Sequence, residues 1–578
     1  MTQSRYFALA DLACVAVAGA LLYNWPKLGG WPLLIALLPW VIRLVNRKLP
    51  FQPTRFDLFI ILFLITAWVG VLVSYDQAMS LERYWLIVCA VFLYFALAGQ
   101  PRQNLWIVTG WLGAFGAMVA GYFLVTHDWV AQPAKFESIN QAGVWLMTVR
   151  PMLNTHQLHP NVAGSIIAML APFLMASGLH SWRARHILIT LLILATGGLG
   201  LIGLLLTTSR GAWIALSAVF GLWGLWWVSG VAAKALRREL RKTIFYSALA
   251  ITALIVLIFV IIYPGDALAL VDRLPGPANA GTRLDLAQGA FDLVDDFPFT
   301  GGGLGAFPAL YSQYIRVIPN FFIRHAHNLF LDVAIEQGIP GALALAAIVL
   351  GAGWPLATRA GKAIDLPDAS LLRWGVLASL LVMLIHGLVE DSLYGSRGVL
   401  LLLLPAGMSV AVMRKQDNDP EQMGTSKATL FNKSLKRNAY AIILIFVFIL
   451  LFNFRQPLLA SWYADLSAVA QARIELDGWP TGEWDDGSNT SALEPAGATF
   501  HHVLQLDADN RTAHHRLGLI AMLQQDYSAA VEHLEAAFQT DPEHRGVRKN
   551  LGYSYAWAGQ YEKALDVLAP IPEGESEL

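Results

Sequence analysis

The chain predicts an all-α fold: a polytopic membrane helical bundle of about 13 spans, followed by a polar C-terminal α-solenoid. Three observations carry this. Of 578 residues, 56% are hydrophobic and only 14% charged, where a soluble globular chain carries roughly 25% charged residues. Apolar runs long enough to cross a bilayer recur along residues 1–454. Beyond them the composition turns polar and a 34-residue repeat begins.

A crossing takes about 20 mostly apolar residues. Runs of that kind lie near 6–23, 28–45, 56–73, 84–99, 104–125, 161–180, 187–206, 211–230, 244–263, 329–356, 371–389, 398–413 and 439–454. The first follows Arg5 and continues past Ala16-Val17-Ala18 without a polar break, so an uncleaved first span is expected. Cys14 and Cys89 both lie inside apolar runs, which argues against a disulfide framework or a thiolate metal site.

Basic residues set the sides. Arg43, Arg47, Lys48 and Arg55 follow the second run. Lys234, Arg237, Arg238, Arg241 and Lys242 follow the eighth, and Arg414, Lys415, Lys427, Lys433, Lys436 and Arg437 precede the thirteenth. Alternating spans from a cytoplasmic N-terminus put all three clusters on the cytoplasmic side. The loop Thr126–Pro160, the large loop from Pro264 to about Asn328 and everything after Phe454 then lie outside the cytoplasm. The net charge of −1 carries no signal for nucleic acid, and no such partner is expected.

The tail divides into a linker and helical segment, 455–495, and repeats at 496–578. Leu517-Gly518, Tyr527, Ala530 and Leu534 recur as Leu551-Gly552, Tyr561, Ala564 and Leu568. That period and residue order mark tetratricopeptide repeats. Ala496, Phe500 and Val503 supply the second helix of a preceding half-repeat. An array this short is expected to pack on the membrane domain or on helix upstream, such as Leu459–Leu476. Scaffolding and recruitment of a protein partner are equally compatible with it.

The chemistry collects on one face. Arg210 sits between the seventh and eighth runs, and Arg283 and Arg324 lie in the large loop. Arginine offers a planar fork of donors to phosphate oxygens and keeps its charge, so a pair of them suits a pyrophosphate. His325 and His327 follow at the mouth of a span, where ionisable groups are expensive unless they serve a function. An imidazole can take a proton from a hydroxyl near neutral pH without placing negative charge beside a diphosphate. On a helix the two rings would point about 200° apart and could not share a task. Glu336 is expected to fix the turn at Gly338-Ile339-Pro340-Gly341 or to pair with another span. His156 and His159 could join the other histidines as metal ligands, yet no His-Glu-x-x-His motif or acidic set accompanies them, and no catalytic metal or cofactor is expected. Gly301-Gly302-Gly303-Leu304-Gly305 lacks the lysine of a phosphate-binding loop and reads as a closely packed backbone turn.

These residues carry a family resemblance. Ser209-Arg210-Gly211-Ala212-Trp213, Arg283 with Asp296-Phe297-Pro298-Phe299-Thr300-Gly301, and His327-Asn328-Leu329-Phe330-Leu331 with Glu336-Gln337-Gly338-Ile339-Pro340-Gly341 resemble the O-antigen ligase and polymerase superfamily of bacterial membrane glycosyltransferases. His159-Pro160-Asn161 adds a weaker match. The resemblance covers roughly Asp57–Met413. It implies a bacterial inner-membrane enzyme that takes an oligosaccharide or polysaccharide from undecaprenyl diphosphate, at an extracytoplasmic site and without metal. Carried over, Arg210 and Arg283 would hold the donor diphosphate and His327 would deprotonate the acceptor hydroxyl. Arg324, His325, Asn328 and Asn161 would line the substrate site. The acceptor, lipid or protein, stays open, as does ligation against polymerisation or protein O-glycosylation. A lipid-glycan flippase is the reading from a different class.

Overall fold

The computed structural model describes residues 5–151, 153, 155–236, 240–263, 280–317, 323–358, 368–414, 452–480 and 489–571. Among them there is no strand. The chain is all-helical and multi-pass. Nine helices are long and apolar enough to cross a membrane, and three shorter apolar helices accompany them among the described residues. Together they underlie the first twelve of the thirteen expected runs. The thirteenth, 439–454, falls almost wholly outside the described residues.

In order, the helices are α1 Arg5–Asn24, α2 Leu33–Val45, α3 Asp57–Val73, α4 Gln77–Ala98, α5 Leu105–Thr126, α6 Glu137–Val149, α7 Pro160–Arg183, α8 Ile187–Leu206, α9 Arg210–Ala235 and α10 Arg241–Ile262. α11 Ala280–Asp296 belongs to the large loop; α12 Leu329–Thr358, α13 Ala369–Gly387 and α14 Leu404–Met413 return to the bundle. α4 starts two turns before its apolar run. The Asp76 carboxylate accepts the Met79 amide at 3.0 Å and caps the helix there, so the polar turn carrying Arg83 is helical too. α6 is an additional short helix inside the loop expected at 126–160.

Two cores organise the molecule. One runs through the bundle, from Leu12 and Val15 to Met408 and Val412. α7 lies at its centre against α5, α8, α9 and α13, while α3 packs along α12. The second core joins α11 and the segment 307–315 to the outer end of α12 and to the tail. The tail contributes α15 Arg455–Glu475, α16 Glu494–Leu506 and α17 Arg511–Leu523, followed by α18 Tyr527–Thr540, α19 Arg545–Trp557 and α20 Tyr561–Leu568.

The repeat pattern has a direct packing cause. A Cβ on Gly518 would stand 2.5 Å from Leu534, and one on Gly552 would stand 2.4 Å from Leu568. Each Gly–Leu pair lets the two helices of a repeat close on one another. The glycine-rich turn of the loop is likewise a close approach. Gly302 donates to the Ile335 carbonyl at 2.7 Å, and Ile339 donates to that of Pro298 at 2.8 Å. Gly338 kinks α12 at φ 73°, and a Cβ there would meet the Phe299 carbonyl oxygen at 2.3 Å. Glu336 pairs with another span: Arg83 of α4 reaches it at 3.0 Å.

Candidate active site at the mouth of the bundle

The loop before α12 sets the site. The Ala326 amide donates to Asp332 in the first turn of α12 at 2.8 Å, and His327 adopts φ 54°. A left-handed conformation is uncommon for a residue with a side chain, and here it ends any helical register through 325–327. The expectation that the two imidazoles diverge is therefore corrected. Their ring centroids lie 4.4 Å apart, and both rings address one carboxylate.

That carboxylate is Glu390, just beyond α13. His327 Nδ1 lies 2.9 Å from its Oε1 and His325 Nε2 lies 3.6 Å from the same atom. Asn161 Nδ2 donates to Oε2 at 2.8 Å. Burial alone would raise Glu390, but the His327 hydrogen bond and the surrounding imidazoles outweigh it and hold the carboxyl at about 2. A carboxylate at Nδ1 fixes the proton on that nitrogen, so His327 presents the lone pair of Nε2 outward. Burial pushes His325 down to about 4, so at neutral pH it is an uncharged ring behind His327.

A cavity of about 630 Å³ opens in front of these groups. Asn161, Arg324, His325, His327 and Glu390 line it, with Lys135 and His159 from the loops before α7. His159 caps α7, its Nδ1 accepting the Asn161 amide at 3.2 Å. Arg283, on α11, donates to the Val389 carbonyl at 3.1 Å, one residue from Glu390. Burial, then the fields of Arg210 and Arg283, lower Lys135, so all three cations crowd the same space. A cavity lined by Lys135 and Arg324, with Arg210 and Arg283 close enough to act on Lys135, suits an anion.

Of the residues singled out in the sequence, Asn161, Arg324, His325 and His327 line this cavity and Arg283 lies beside Glu390, while two others sit differently. Asn328 is drawn into the fold: its Oδ1 caps α12 through the Phe330 and Leu331 amides at 3.0 and 3.1 Å, and its Nδ2 donates to Leu388. His156 stands apart against Tyr23, so it is not a fourth imidazole of this cluster. Glu390 and Lys135 went unread. The signal for Glu390 was Glu390-Asp391 directly after the eleventh run, at the same face as the histidines. Lys135 has no comparable motif.

His325, His327 and Glu390 bring ligand atoms within 4.8 Å of one another, close enough to hold a metal ion. The 2.9 Å contact is a hydrogen-bond distance, and the Lys135 and Arg324 side chains that line the cavity oppose a dication.

Residues 195–346 match the family model described as O-antigen ligase. Over this segment the chain is similar to the O-antigen ligase family. Residues 521–576 match a tetratricopeptide repeat model, and no curated protein matches the chain. The O-antigen ligase match covers Arg210, Arg283, Arg324, His325, His327 and Asn328; Lys135, Asn161 and Glu390 lie outside it. Such a domain is of the membrane glycan ligase and polymerase type, a glycosyltransferase in the broad sense, and implies a lipid-linked glycan substrate.

Proposed function

We propose that the protein is a membrane glycan ligase that moves an oligosaccharide or polysaccharide en bloc from undecaprenyl diphosphate to an acceptor hydroxyl, on the extracytoplasmic face of a bacterial inner membrane. The observation that carries this is the His327–Glu390 pair facing a cationic cavity. The acceptor hydroxyl gives its proton to His327 Nε2 as its oxygen forms a bond to the anomeric carbon. The bond from that carbon to the diphosphate breaks, and undecaprenyl diphosphate leaves with the electron pair. One displacement inverts the anomeric centre. Charge developing on the leaving diphosphate meets Arg210, Arg283 and Lys135, preorganised donors that can do what a metal ion does elsewhere. Glu390 orients the base and stabilises the imidazolium it becomes. His325, neutral and half-buried, lines the wall beside His327.

Polymerase and protein O-oligosaccharyltransferase activities use the same chemistry and differ in the acceptor. The deciding experiment is transfer from undecaprenyl-diphosphate glycan by the reconstituted protein, under chelator, with core lipid, protein and a second lipid-linked glycan as acceptors. Chelator-insensitive transfer that disappears in His327→Ala supports the mechanism, and the labelled acceptor names the activity. Loss of wild-type activity under chelator, restored by a divalent ion, transfers His325, His327 and Glu390 to metal ligation. Glycan flipping without transfer removes the enzyme reading.

A further inference from the structure

Tetratricopeptide repeats offer a groove built from the first helix of each repeat. Here those helices are α17 and α19, and their equivalent positions lie one 34-residue period apart: His515 and Lys549, Arg516 and Asn550. This groove is already filled by the chain's own large loop. Arg511 and Arg516 both pair with Asp296 at the end of α11, Arg516 at 3.0 Å. The Arg545 amide donates to Asp292 one turn earlier at 2.9 Å. Lys549 Nζ donates to the Gln313 carbonyl and the Tyr553 hydroxyl to that of Val317, each at 2.7 Å. Gly546 lies so close to the Tyr314 carbonyl oxygen that a Cβ would stand 2.5 Å from it. Asp296, Arg516 and His544 are fully buried at this junction.

We propose that the repeat tail works in cis, as a clamp whose ligand is residues 286–317 of the same chain, and that by gripping the Asp296 end of α11 it positions Arg283 in the active site. The connecting element is rigid. From Arg283 to Asp296 the helix runs 13 residues, about 20 Å at 1.5 Å per residue. Arg283 is at one end, against Val389, and the clamp is at the other. α11 rests on the start of α12 on one side, and the rest of its apolar face is buried with the segment 307–315 and with α15, α16 and α17, so the tail completes the packing that fixes its tilt. Asp296 and Arg516 are accordingly positioning residues, touching no substrate.

The junction's imidazoles do not make it a metal site, although Asp296, His515 and His544 group their ligand atoms within 4.8 Å. His544 Nδ1 accepts the Val547 amide at 3.2 Å, which leaves its proton on Nε2, facing Asp296 at 3.5 Å. His515 Nε2 accepts from Asn550 at 2.9 Å, which leaves its proton on Nδ1. Both rings turn N–H groups rather than lone pairs inward, and two guanidinium groups already neutralise the carboxylate.

The proposal leans on the transfer reading only through Arg283, so the test has an arm that needs no turnover. Hydrogen exchange on the full-length protein in lipid nanodiscs would follow residues 283–296 in wild type, Asp296→Asn and Arg516→Gln. Faster exchange there, with α5 and α7 unchanged, is expected; unchanged exchange in both variants overturns the clamp. In the transfer assay kcat/KM for the donor should fall about tenfold, the loss of one charge-assisted contact to the diphosphate. Unchanged kcat/KM in both variants, with exchange in 283–296 accelerated, overturns the positioning role. Should both variants fail to fold, a photo-crosslinking phenylalanine analogue in place of Tyr553 keeps the ring and reads the groove directly in cells. Cross-links within the chain to 313–317 are expected. Cross-links to another protein, with none inside the chain, mean that the groove serves a partner in trans.

Discussion

The protein places carboxylates among arginines and imidazoles twice, and the two places behave differently. At the bundle mouth, Glu390 meets His327, His325 and Asn161 at the edge of an open cavity, with more cations nearby than it can neutralise. At the tail junction, Asp296 meets Arg511, Arg516 and His544 with no cavity left and its charge fully answered. The first arrangement leaves an imidazole, Lys135 and Arg324 at the wall of a cavity. The second is fully buried, with its carboxylate paired to two guanidinium groups. The same residue types therefore line an open cavity or close a clasp according to burial and charge balance.

The largest effect should come from His327→Ala. Removing the base is expected to lower transfer by about 10²–10⁴-fold, while circular dichroism and membrane insertion stay as in wild type. Retained activity would move the base to another residue and erase the contrast between the two clusters. Next is Arg516→Ala. Arg511 still pairs with Asp296 in this variant, so the loss is one buried charge-assisted hydrogen bond, about 1.5–3 kcal/mol, and limited proteolysis should release the tail at lower denaturant concentration. An intact tail would mean that the clasp is held by the apolar core alone.

Arg210→Ala and Arg283→Ala come third. Each loses contacts of about 1.5–3 kcal/mol to a phosphate, read as a roughly 10- to 150-fold rise in the apparent dissociation constant for undecaprenyl diphosphate. Equal binding in both variants would separate the cationic cavity from the donor. The smallest effect is at Asp465 of α15, which accepts Phe299 N at 3.1 Å and the Thr300 hydroxyl at 2.7 Å. Burial raises its carboxyl from the ordinary carboxylate range to about 6. A carboxyl raised in the folded state binds its proton more tightly there, so its contribution is present below about pH 4 and lost as pH rises through about 6. Asp465→Asn can keep both hydrogen bonds and should flatten tail stability across that window. A slope that persists belongs to another group.

Much of the bundle was legible because hydropathy over about 20 residues is a local property, and a helix underlies each of the first twelve runs. The start of α4 was missed because its cap, Asp76, lies outside the apolar run. The repeat period was legible because Gly518 and Gly552 each meet a leucine of their own repeat. In the candidate site, Arg210, Arg283 and His327 stood out in the sequence by residue type and position, and the structure sets His327 at the cavity and Arg283 against Val389. Asn328 looked the same in sequence but is taken up in capping α12.

The sequence by itself determined the helical class, the sided distribution of charge, the repeat tail and the pool of arginines and histidines. Each follows from near neighbours along the chain: apolar run length, basic clusters and a fixed period. Only the tertiary structure decided that His325 and His327 converge, that Glu390 from 63 residues beyond His327 holds them, and that the tail's groove is filled from within. Those outcomes rest on a left-handed turn at His327, on the end of a distant helix and on a shared core. Hydrogen bonds and burial between residues far apart in sequence leave no pattern in a local window, and they are what turn a set of candidate groups into a site.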